Sequence, residues 1–136
     1  MRRAFDVAWL LAFLGLLCFS GPAAAASKEL GAEQAWIRSA SALVGVAIES
    51  TAPIAGFQRD VEASRRQLRG IFLGDPTPTR ALRALHMQML ILLSLLEAAA
   101  GCHKGGHVSC PPELISQLIN QRNAVERLAH AKAVPR

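Results

Sequence analysis

The chain has 136 residues, with 15 Lys and Arg against 10 Asp and Glu, no Tyr and few other aromatic residues. That length allows one ordinary domain and little more. The scarcity of aromatic rings argues against a surface that stacks bases, so nucleic acid is not an expected partner.

Met1-Arg2-Arg3 opens the chain, residues 7–19 form an uninterrupted apolar run, and Gly21-Pro22 leads into four alanines. A basic start, a short apolar middle and small residues at the cut form a secretory signal peptide, assigned to residues 1–26. The run of 13 residues falls short of the roughly 20 that span a bilayer as a helix, so no stable membrane span is expected after cleavage. Asp6 follows the arginine pair where a twin-arginine signal becomes apolar. Cys18 follows the bulky Leu17 and leaves with the leader. Residues 27–136 are then a single domain, periplasmic or secreted, folding where thiols oxidise. Without Arg2, Arg3 and Asp6 it carries 13 basic and 9 acidic residues, a net charge of +4. Outside the cytoplasm, such a balance suits an anionic lipid, a wall polymer or an acidic protein, although a few surplus arginines that merely keep the domain soluble are the favoured reading.

Four segments with helical periodicity follow, and none shows sustained strand alternation. The first, about 32–49, places Trp36, Ala40, Leu43 and Ala47 on one face with Ile37, Val44 and Ile48 beside it. Residues 50–53, ending in Pro53, break it. The second, about 54–73, sets Ile54, Phe57, Val61, Leu68 and Ile71 along one seam, opposite an arginine-rich side. Gly74 suits a left-handed helix end, and Thr77 with Pro78 suits the opening of the next helix. The third, about 78–100, puts Leu82, Leu85, Met89, Leu92, Leu93 and Leu96 on one broad face, while Met87, Leu90 and Ile91 point elsewhere. A helix apolar on most sides is either the central one or part of a homodimer interface. The fourth, about 111–131, carries Leu114, Leu118, Val125 and Leu128 with Ile115 and Ile119 alongside, and His130 and Lys132 oppose the negative end of its dipole. Short connections favour an all-α, up-and-down four-helix bundle.

The densest chemical cluster, residues 102–110, lies between the third and fourth helices. Cys102 and Cys110 are the two cysteines left in an exported chain, so a structural disulfide is the expected state, with Gly105-Gly106 permitting a tight reversal. The alternative is a zinc site of Cys102, His103, His107 and Cys110, since zinc accepts both ligand types. His86, Met87 and Met89 resemble soft copper ligands in type. Met87 and Met89 are two positions apart on a helix and face opposite ways, so core filling is the better reading. Glu97 is close enough in sequence to meet His103 or His107 as an acid–base pair, but a solvated helix-end charge is favoured. No catalytic motif appears among the scattered acids.

Arg59, Arg66 and Arg69 share one side of the second helix, with Glu62 between them and Arg65 on the flank. Guanidinium forks suit carboxylates and phosphates. The expectation is therefore an exported, non-enzymatic binding module that needs no cofactor and engages another protein or an anionic envelope component through these arginines. A metal-binding envelope protein using the 102–110 loop is the alternative.

Overall fold

A computed structural model describes residues 30–133; the expected leader and its cut site lie outside the described residues. Among the described residues there are four helices: α1 (Gly31–Glu49), α2 (Ile54–Gly74), α3 (Arg80–Ala100) and α4 (Pro112–Ala133). Between α3 and α4 stands a two-stranded hairpin, β1 (His103–Lys104) with β2 (His107–Val108). The four helices form a helical bundle.

The apolar periodicity of each helix becomes its buried stripe. In α1, Trp36, Ile37, Ala40, Leu43, Val44 and Ala47 are buried, while Ile48 remains largely at the surface. The Trp36 ring is fully enclosed and its Nε1–H donates to the Ser64 carbonyl oxygen at 2.9 Å, so indole burial strands no donor. In α2 the seam is Phe57, Val61, Ser64 and Leu68, with Ile54 and Ile71 only half-buried. Helix α3 packs against both α2 and α4 and supplies Leu85, Met89, Leu92, Leu93 and Leu96 to the core, as a central helix should. Leu118 and Val125 of α4 close that core. Contacts at Gln58–Ala100, Arg65–Glu97 and Phe72–His86 show that α2 and α3 run antiparallel.

Several boundaries differ from those expected. Helix α1 does stop at Glu49 as expected, with Ser50 taking φ of 55° and turning its hydroxyl back to the Ala47 carbonyl. Gly74 keeps a negative φ, and Asp75 ends α2 in an extended conformation. The cap of α3 is Thr79 rather than Thr77: its Oγ1 accepts from the Leu82 amide at 3.2 Å, satisfying one of the amides a helix start leaves free. By length and composition α3 could cross a membrane, but its Leu85, Met89, Leu92 and Leu96 are spent on the bundle core.

The hairpin was expected only as a loop. Gly105 and Gly106 take φ of 60° and 79°, the paired positive values of the two-residue turn whose twist matches a hairpin. The hairpin also docks on the α1–α2 connection: the Ile54 amide donates to Gly106 O at 2.9 Å and the Val108 amide to Ala52 O at 3.0 Å. Val108 is fully buried beneath it. Two connections, from opposite halves of the chain, are thereby hydrogen-bonded together at this end of the bundle.

Candidate functional site

The arginines of α2 are solvent-exposed, as their side of the helix implied. Arg65 meets Glu62 at 2.6 Å and reaches Glu97 of α3 at 3.7 Å; Arg66 also approaches Glu62, at 3.6 Å. Arg59 has only the neighbouring Asp60, at 4.0 Å. Such exposed pairs contribute little to stability, about 0–1 kcal/mol each, so these arginines are not required by the fold. Among the described residues Arg69 makes no ion pair. It borders a groove of about 370 Å³ between α2 and α3, with Phe72 and Leu68 on its own helix and Leu90, Leu93 and Ser94 across from it. Glu97, whose Arg65 contact spans the same groove, is engaged there and not with His103 or His107.

Cys102 and Cys110 flank the hairpin 4.3 Å apart, close but unbonded. Their approach follows from the hairpin register and from the Ser109 amide donating to the Cys102 carbonyl at 2.9 Å. Burial, then the neighbouring Cys102, push the Cys110 thiol up from 9.0 to about 11. A thiol held protonated is a poor nucleophile, and that applies to Cys110.

The same register weakens the zinc alternative. His103 is paired with Val108 and His107 with Lys104, and cross-strand partners share a face of the sheet. The two imidazoles therefore belong to opposite faces of a two-residue hairpin. His107 Nδ1 instead lies 3.0 Å from Gly105 O. Among the described residues no group of three or more His, Cys, Asp or Glu side chains is gathered for a metal ion.

His86 is not a surface ligand. It is buried, and its Nε2 lies 3.0 Å from Glu33 Oε1 of α1, with side-chain exposures of 8% and 4% respectively. The Phe72 ring packs on the imidazole at 4.7 Å between centroids. Glu33 Oε2 has no hydrogen-bond partner among the described residues. Met89 is fully buried and Met87 is exposed, so the two methionines face opposite ways, as their two-residue spacing implies. Sequence reasoning passed over the Glu33–His86 pair because its members are 53 positions apart and no spacing rule connects them. A weak signal was present: His86 falls on the apolar side of α3, where a polar residue needs a partner.

A second cleft, about 600 Å³, opens between α1 and α4, with Ile37 and Ala129 beneath Arg38, Ser41, Glu126 and His130. There Ser41 Oγ donates to Glu126 Oε1 at 2.7 Å. No sequence motif announced it. Compared with known proteins, the chain matches no family model, no curated protein and no solved structure.

Proposed function

We propose that the protein is an exported helical interaction module, periplasmic or secreted, which binds another protein or an anionic envelope component and catalyses no reaction. The observation that carries this reading is the arginine side of α2. Arg59, Arg66 and Arg69 are exposed, the core does not need them, and Arg69 stands unpaired among the described residues beside an apolar groove. Guanidinium groups so placed are free to fork onto carboxylate or phosphate oxygens.

In this reading the leader is removed after Ala25 or Ala26, and oxidation then joins Cys102 to Cys110. The bridge closes a loop that the Gly105-Gly106 turn has already folded back, fastening the end of α3 to the start of α4. The reading is supported by the closeness of Cys102 and Cys110, 4.3 Å apart at the base of the hairpin.

The test is charge reversal at all three positions, Arg59→Glu, Arg66→Glu and Arg69→Glu, with folding checked by helical circular dichroism. Capture from an envelope fraction should weaken in the variant, and wild-type capture should fade as salt rises. Equal capture by wild type and variant at both salt levels would overturn the reading.

A further inference from the structure

The outward side of α3 is apolar where a surface helix is normally polar. Met87 is 56% exposed, Leu90 41% and Ile91 41%, and Leu73 at the end of α2 is 73% exposed. These belong to one patch. The Phe72–His86 contact sets the end of α2 level with the first half of α3, so Leu73 comes level with Met87 and Arg69 comes beside Leu90, with which it lines the groove. Within α3, Met87, Leu90, Ile91 and Ser94 recur at the three- and four-residue steps that share a helix side. Ser94, the polar member, gives its hydroxyl to its own helix at Leu90 O, 3.0 Å away, and so loses no bond when covered.

The rim of the patch is positive. Arg69 stands at one end, and Arg80 and Arg83 stand at the other, two turns and one turn before Met87 respectively. None of the three has a carboxylate ion-pair partner among the described residues. Of the nearby acids, Glu62 is engaged with Arg65 and Arg66 and Glu97 with Arg65, which leaves Asp75, two residues beyond Leu73, as the one acid at the rim with no ion pair among the described residues. A second copy laid over this face would set three arginines against three, with a single Asp75 on each copy to answer them. A sheet of anionic headgroups answers all three at once, while the four apolar side chains are few enough to enter only the headgroup boundary.

We infer that the α2–α3 face, with Leu73, Met87, Leu90 and Ile91 inserted and Arg69, Arg80 and Arg83 on phosphates, is a peripheral docking surface for anionic lipid bilayers. This rests on the interaction-module reading and names its partner as lipid.

The purified protein is floated with vesicles of phosphatidylglycerol in phosphatidylcholine, and with phosphatidylcholine alone, at low and high salt. Binding is expected to the anionic vesicles only, and to fall as salt rises. It should weaken by about fivefold or more for each arginine reversed in Arg69→Glu and Arg83→Glu, and be lost in Met87→Asp with Leu73→Asp. All four positions are exposed, and circular dichroism checks that each variant folds. No flotation of wild type with anionic vesicles at low salt overturns the proposal. So does a lipid-free dimer, seen by light scattering, that Met87→Asp splits; the face would then belong to a second copy. If flotation fails while the triple reversal at Arg59, Arg66 and Arg69 still abolishes envelope capture, the lipid assignment falls and the module reading stands. If both fail, both fall.

Discussion

Replacing His86 by leucine removes the one hydrogen-bond partner, among the described residues, of a carboxyl group that the fold encloses almost completely. Glu33 is 4% exposed at its side chain, accepts through Oε1 alone, and has Oε2 already unpartnered among the described residues. Removing one member of a buried hydrogen-bonded pair costs about 1–3 kcal/mol, and more where the stranded group is a carboxyl, because the survivor keeps its desolvation and loses its compensation. Removing the other member, by Glu33→Leu, leaves an unpaired imidazole against Phe72 and should cost less, about 1–3 kcal/mol. The double variant leaves neither group stranded and fills the space with apolar atoms of similar volume. It should return close to wild-type stability or exceed it. Urea unfolding of the four proteins gives the coupling energy directly, provided the slopes agree. Against a typical total of about 5–15 kcal/mol, a loss near the upper figure would be obvious at room temperature. A double variant whose loss equals the sum of the single losses would refute the reasoning, since it would mean the two groups do not depend on each other.

Four further outcomes follow from the same structure. Leu92→Ala, at a fully buried position of the central helix, should cost about 2–5 kcal/mol, whereas Arg66→Ala should cost no more than a few tenths; equal shifts in urea midpoint would contradict the packing. Ser64→Ala deletes a buried hydroxyl that has no partner among the described residues and spares the carbonyl that Trp36 uses, so stability should hold or rise by about 1 kcal/mol. With the thiols reduced, the raised Cys110 makes the folded state hold its proton more tightly than the unfolded chain. Its stabilising contribution is complete below about 9.0 and is lost as pH climbs through about 11, and replacing both cysteines by serine should remove that part of the pH dependence. In the oxidised protein the dependence should be absent too, and replacing both cysteines there should lower stability by about 2–3 kcal/mol with little change in helix content.

What could be read from the chain was whatever repeats locally. The buried residues of α1 and α3 follow the period of a helix, so Trp36, Leu43, Leu85 and Leu96 were identifiable from spacing alone. Helix ends were harder, because Thr77 and Thr79 both have a capping hydroxyl and only the geometry decides that Thr79 reaches the Leu82 amide. The hairpin was missed because two-residue strands carry no alternation to detect; its Gly-Gly turn was visible, but the Ile54 and Val108 hydrogen bonds that tie it to the α1–α2 connection were not. The Glu33–His86 pair and the α1–α4 cleft are encounters between distant segments, which no local pattern encodes. The arginine side of α2 was legible because charge periodicity on one helix is local. Its apolar neighbour on α3 was legible only as an excess, and the contact between the helices is what turns the two into one face.

Everything proposed for function depends on the protein working outside the cytoplasm as a cleaved and internally bridged bundle. The intact mass of the protein recovered from the envelope, read before and after reduction, tests that most directly. The account predicts an N-terminus just after Ala25 or Ala26, a mass about 2 Da below the reduced form from the two hydrogens lost in pairing, and no thiol open to alkylation until reductant is added. A chain still beginning at Met1, or a cleaved chain with Cys102 and Cys110 both free and one zinc ion bound, would contradict it.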